Sequence, residues 1–249
     1  MPIDDYLGKL EGINNINKIQ NIPFRQKNKP LLSSHNYILL KGKTYRYYSY
    51  PDILIDLSYI NAPEWEYAHQ EADELDSFMI NPRQFIDYLK LLISGVASDQ
   101  NNTPLNPSFL IGKFNEIINT DKLIWLDAEF TTINGIRFIE FDHKITPNGI
   151  RAQEKHLFDE DNLLRNNSKI SIEDFLNSKN SFGLPDFINS NDGELVKYFF
   201  PRFNNNVAFY GGAVINERIY GFNSEKYVFR PGIVGDPLTD PVTIVARKA

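Results

Sequence analysis

The chain has 249 residues, 42% of them hydrophobic and 13% aromatic, enough to bury a core as one large domain or two small ones. It contains no cysteine, which excludes disulfides, thiolate nucleophiles and cysteine-ligated zinc, and its net charge of −6 argues against nonspecific nucleic-acid binding. That charge is uneven: residues 1–50 carry roughly +5 and residues 51–100 roughly −8, with no Lys or Arg between Asp52 and Asp76.

Residues 1–34 read as an arm. Leu7, Leu10, Ile13, Ile16, Ile19 and Ile22 recur every three residues, a spacing that would wind around an α-helix instead of lining one face. Gly8, Gly12 and Asn14-Asn15 further weaken a helix, and Pro23 and Pro30 punctuate the end. The apolar residues Leu7, Leu10, Ile13, Ile16 and Ile19, together with Lys18, Arg25, Lys27 and Lys29, are the candidate partner-binding set. The first ten residues, MPIDDYLGKL, have neither a basic nor an apolar leader region, and no run reaches the roughly 18–20 apolar residues of a membrane span. The expected location is the cytoplasm or a virion, neither secreted nor in a membrane.

Residues 35–97 read as strands followed by two helices. Tyr45, Tyr47, Tyr48 and Tyr50 favour strand. Beside Lys41, Lys43 and Arg46 they could also stack on single-stranded bases. Pro63 opens a helix whose expected buried stripe is Trp65, Ala72, Leu75 and Met79. Glu66 and His69 on it have a metal-bundle spacing, but no second copy of the motif exists. Asn81-Pro82 opens a second helix, with Gly95 as its stop. Residues 98–107 are a linker candidate, and a short helix follows over about 107–118.

Residues 98–249 are expected to be mainly antiparallel β. Their clearest element is the hairpin 123–145, LIWLDAEFTTINGIRFIEFDHKI, centred on Asn134-Gly135. A two-residue loop pairs Ile133 with Ile136 and Phe130 with Ile139. It also sets Glu129 opposite Glu140 and Asp127 opposite Asp142. One face then carries Ile124, Leu126, Ala128, Phe130, Ile139, Phe141 and Ile145 against a core. The other carries the four acids with Trp125, Ile133, Ile136 and Phe138. Facing like charges destabilise a sheet by up to about 1 kcal/mol each, so solvent, a basic side chain or an ion should compensate. No cofactor is expected; an ion on this face would be Mg²⁺, Mn²⁺ or Ca²⁺, with Asp127, Glu129, Glu140 and Asp142 as candidate ligands.

KLIWLDAEFTT followed by IRFIEF resembles the first motif of the DEDD-type exonucleases, especially the oligoribonuclease branch. The resemblance covers about twenty residues and implies a ribonuclease-H-like sheet with Asp127 and Glu129 as ligands of catalytic metal ions. The family also has further aspartates and a downstream His or Tyr base, whereas the last histidine here is His156.

Farther on, a short helix is expected after Ser171 and another over 193–200. Strands are expected at 207–210, 213–220, 226–230 and 242–247, with a Pro/Gly-rich strap over 230–242. The expected fold class is α+β, β-rich, with antiparallel sheets, a few short helices and extended N- and C-terminal arms. The expected function is a noncatalytic structural subunit of a large assembly, most concretely a phage-type virion component in head, neck or tail. Its partners would be further copies or other subunits, with nucleic acid touched only through the basic arm. The enzyme alternative is a metal-dependent 3′–5′ exonuclease using Asp127 and Glu129. The other alternative is a binding module for single-stranded nucleic acid or protein.

Overall fold

The computed structural model describes residues 37–118, 124–133, 136–157, 168–171, 176–184, 195–198, 213–216, 225–229 and 241–249. The arm 1–34 with all its candidate partner-binding residues, the strap as far as residue 240, the strand expected at 207–210 and the Asn134-Gly135 turn lie outside the described residues. In chain order the elements are β1 (Tyr37–Leu40), β2 (Lys43–Thr44), β3 (Ser49–Tyr50), β4 (Ile53–Asn61), α1 (Trp65–Glu74), β5 (Phe78–Met79), α2 (Pro82–Ser94) and α3 (Pro107–Ile118). They continue with β6 (Ile124–Ile133), β7 (Ile136–Phe141), β8 (Lys144–Thr146), β9 (Gly149–Arg151), β10 (Glu154–Leu157), β11 (Ser168–Ser171), β12 (Leu195–Tyr198), β13 (Ala213–Asn216), β14 (Glu225–Phe229) and β15 (Val242–Lys248). This is the α+β, β-rich class the sequence predicts.

The main sheet runs β1-β4-β15-β6-β14-β13, with β5 on β15 and the succession β6-β7-β10 alongside. Its ladders are antiparallel except at one seam, where β15 runs parallel to β6 through Val242↔Ile124 and Thr243↔Trp125. The sheet is therefore mixed, not purely antiparallel. Because the last strand is inserted between β4 and β6, the 35–97 and 98–249 regions share one sheet. The stretch 98–107 is a hydrogen-bonded loop: Leu39 N donates to Ser98 O, Leu105 N to Ala97 O, and the buried Asp99 carboxylate caps Asn101 N and Thr103 N.

Both faces of the central strands are covered. Ile124, Leu126 and Ala128 of β6 join Phe85, Leu89 and Leu92 of α2 and Leu110, Phe114 and Ile117 of α3 in the larger core. On the opposite face Trp125 and Val245 meet Trp65, Ala68 and Ala72 of α1, together with Met79. That second core runs beneath the face on which the acids lie, so α1 is the element that positions the candidate site.

α2 forms where its signals place it. The Asn81 side chain accepts from Gln84 N at 3.0 Å, Gln84 Oε1 accepts from Asn81 N at 3.0 Å, Pro82 fills the first turn, and Gly95 stops the helix at φ 66°. Asn81→Ala removes the cap and a hydrogen bond from Asn81 Nδ2 to the Tyr48 hydroxyl. It is expected to lower stability by about 1–2 kcal/mol, read as a shift in urea midpoint.

Other expectations need correction. α1 ends at Glu74, because Asp76 turns the chain at φ 54° and sends Phe78–Met79 into a strand. Met79 therefore pairs with Val245 and is not on the helix stripe, while Ala68 and His69 are. Ile145 is 41% exposed: β7 ends at Phe141, and Asp142 at φ 53° diverts the chain into the separate β8–β9 hairpin. Residues 195–198 form β12, paired with β11, where a helix was expected; Leu-Val-Lys-Tyr is rich in strand formers.

Candidate functional site

The hairpin register is the one the turn dictates. Ile133 pairs with Ile136, Phe130 with Ile139 and Glu129 with Glu140. The β6–β7 ladder ends at that acid pair. Asp127 and Asp142 do not form a facing pair in it, because Asp142 adopts positive φ and the next residue folds back over β6.

That next residue is His143. Its backbone N–H donates to Asp127 Oδ2 at 3.0 Å, and its ring Nδ1 lies 2.5 Å from Oδ1 of the same carboxylate. Its other ring nitrogen, Nε2, lies 3.4 Å from Glu129 Oε2. From above the sheet, His69 on α1 brings Nε2 to within 3.5 Å of Asp127 Oδ1. Trp65, one helical turn earlier, sets its indole edge-on to both imidazoles, with ring centroids 4.1 Å from His69 and 4.9 Å from His143. The Trp65 Nε1 hydrogen bond to Leu126 O at 2.9 Å fixes that indole. The side chains of His69, Asp127 and His143 are 4%, 2% and 1% exposed, so the centre is closed.

Electrostatics follow from that enclosure. Burial works to lower the His143 pKa, but the Asp127 and Glu129 carboxylates override it and raise it to about 9. Burial likewise works against the charged Asp127, and the His143 imidazolium, its hydrogen bonds and His69 outweigh it, leaving the pKa below the ordinary carboxylate value. Asp142 moves the other way. Burial, then the Asp127 and Glu154 charges, push it up to about 6 against hydrogen bonding from Asn81. Glu140 is met by Lys155 Nζ and by Thr131 Oγ1 at 2.7 Å.

Comparison of the chain with protein-family models, curated proteins and solved structures finds no match.

Asp127 and Glu129, which the exonuclease resemblance marks as metal ligands, fall into two different groups that share His143, and the structure adds His69 and His143, which the hairpin pattern did not supply. His69, Asp127 and His143 present ligand atoms within 4.8 Å of one another, as do Glu129, Glu140 and His143. His143 was legible in principle: the register places 142 at the level of 127, so 143 must lie at that end of the hairpin.

Three of the four tyrosines of residues 45–50 are used internally. The Tyr45 and Tyr50 hydroxyls donate to Asp87 Oδ2 at 2.5 and 2.6 Å, and Tyr48 is buried. Tyr47 is 56% exposed, under the Arg46 guanidinium at 4.8 Å. Lys41 pairs with Asp52 and Lys43 with Asp87.

Proposed function

We propose that the chain is a noncatalytic structural subunit that associates with further copies of itself through opposite charges. The observation that carries this reading is the outer face of α1 and its flanks, where Glu64, Asp73, Glu74 and Asp76 are exposed within a segment that has no Lys or Arg. The basic first fifty residues supply a complementary charge of roughly +5, and a head-to-tail contact between copies would bring the two together. Exposed apolar side chains at the α2–α3 corner, namely Ile93, Val96, Phe109 and Ile111, offer further contact area. A phage-type virion component is the setting we propose, by analogy with subunits that grip neighbours through arms.

The exonuclease alternative requires Asp127 to face substrate and metal at an accessible strand end. Here both its oxygens face histidine groups beneath Trp65, which favours the noncatalytic reading.

Sedimentation velocity across a salt series tests the proposal. Association is expected at low salt and is expected to weaken as the Debye length falls from about 30 Å at 0.01 M toward 3 Å at 1 M. The double substitution Asp73→Lys with Glu74→Lys should abolish it without changing the melting temperature by more than a few degrees. A strict monomer at every salt and protein concentration overturns the reading, as does Mn²⁺-dependent cleavage of a short oligonucleotide that is lost in Asp127→Ala.

A further inference from the structure

We infer that His69, Asp127 and His143 form a binding site for one divalent transition-metal ion of the zinc type, which clamps α1 onto the β6–β7 hairpin. The three donors come from three separate places in the chain: the middle of a helix, the middle of a strand and the segment after the next strand. They converge because α1 buries Trp65, Ala68, His69 and Ala72 on one side. Zinc–ligand bonds of about 2.0–2.2 Å in tetrahedral geometry place neighbouring donors roughly 3.4 Å apart. His69 Nε2 and Asp127 Oδ1 are 3.5 Å apart, already at that spacing. His143 Nδ1, hydrogen-bonded to Oδ1 at 2.5 Å, would move out by about 1 Å as an ion replaced the proton between them.

The surroundings match what such a ligand set requires. Metal-bound imidazoles characteristically donate their second ring N–H to a carboxylate, which sets tautomer and orientation. His143 Nε2 lies 3.4 Å from Glu129 Oε2, close enough for a small ring rotation to make that bond when the ion is bound. Asp127 Oδ2 is held by the His143 backbone N–H, which leaves Oδ1 directed at both imidazoles. Trp65 packs edge-on against both rings and holds their planes.

Two nitrogens and one oxygen in a closed setting suit zinc and its first-row neighbours. Mg²⁺ and Ca²⁺ want oxygen donors, and Mg²⁺ usually retains several waters. This moves the preferred ligands away from the all-carboxylate set. Glu140 is already occupied by Lys155 and Thr131, and Asp142 lies outside both ligand groups. Three protein donors leave the fourth position of a tetrahedral ion to a water molecule or another small ligand, and the burial of all three donors gives the ion a clamping role between α1 and the hairpin. The inference does not depend on self-association.

The test uses the full chain, freed of metal with a chelator and titrated with Zn²⁺ against a chromophoric competitor. One equivalent is expected to bind and to raise the melting temperature. His69→Gln and His143→Gln are each expected to weaken binding at least 100-fold, and Glu129→Gln about 10–100-fold through loss of the supporting carboxylate. His156→Gln, whose imidazole faces Glu154 outside the cluster, should leave affinity unchanged. Co²⁺ in the unsubstituted protein should show the intense visible absorption of a four-coordinate site, a readout that survives even if a variant does not fold. Stoichiometric binding undiminished in His69→Gln overturns the assignment. So does a weak, six-coordinate Co²⁺ spectrum, or no binding at all.

Discussion

Arg83→Ala is expected to lower stability by about 3–5 kcal/mol, the loss that follows when one member of a buried ion pair is removed. Arg83 and Asp87 sit one helical turn apart on α2, each with a side chain only 1% exposed, with Nη2 3.0 Å from Oδ1. The same guanidinium donates through Nη1 to Ser178 O at 3.1 Å and to Asn180 O at 3.4 Å, and it stacks 4.8 Å above the Tyr45 ring. Truncation therefore leaves a buried carboxylate with two hydroxyls and Lys43, whose side chain is 44% exposed and screened by solvent. That lysine places the expected loss toward the lower end of the range.

The 176–184 segment should loosen as well. Gly183 at φ 74° packs so tightly on the start of α2 that a Cβ there would come within 2.5 Å of backbone atoms of Pro82 and Arg83. Urea denaturation and limited proteolysis within 176–184 read the two effects separately. A midpoint shift worth less than about 1 kcal/mol would mean that the pair is not the anchor described here.

The same carboxylate sets a pH dependence. Burial pushes the Asp87 pKa up, but Arg83, the Tyr45 and Tyr50 hydroxyls and Lys43 together hold it below the ordinary value. A depressed folded pKa gives stability that is complete above the unfolded value of about 3.9 and is lost as pH falls through the folded value. Asp87→Asn should therefore flatten the acid limb of the stability curve as well as destabilise the protein at neutral pH.

How far the sequence reveals this structure depends on whether a feature is local. Asn134-Gly135 sets the hairpin register because side chains alternate strictly, so one fixed pair fixes all the others. Asn81, Pro82 and Gly95 mark both ends of α2 because capping is a contest among neighbouring backbone groups. Sequence periodicity does not tell where α1 stops, since Leu75 and Met79 continue an apolar pattern that Asp76 interrupts through its backbone conformation. Nor does it show that β15, the last strand, lies between β4 and β6. Packing of α1 against Trp125 and Val245 encloses the Asp127 end of the acid face in a closed histidine–carboxylate centre. His69 and His143 are 74 positions apart in the chain, and only the packing of α1 on the sheet brings them together.

The second large effect is expected at Trp65, and it tests whether α1 organises that centre or merely lies over it. Trp65→Ala removes a side chain that is 1% exposed and belongs to the smaller core with Ala62, Ala68, Ala72, Met79, Trp125 and Val245. Truncating a buried aromatic costs about 3–5 kcal/mol, a large part of the 5–15 kcal/mol that stabilises a typical domain. Trp65→Phe keeps much of the volume but leaves Leu126 O without the indole N–H, so about 1–3 kcal/mol is expected. Only two tryptophans are present, so in either variant the unfolding signal reports Trp125, whose Nε1 bonds Ala62 O at 3.1 Å at the turn that leads into α1. The ordering wild type, then Phe, then Ala in urea midpoint should be matched by progressive release of the histidines, seen as their ring-proton shifts moving toward those of exposed imidazole. Equal midpoints for Phe and Ala would mean that the cavity closes by inward collapse of α1 and that the Leu126 hydrogen bond dominates. Unchanged histidine shifts in Trp65→Ala would mean that Asp127 alone holds the two rings.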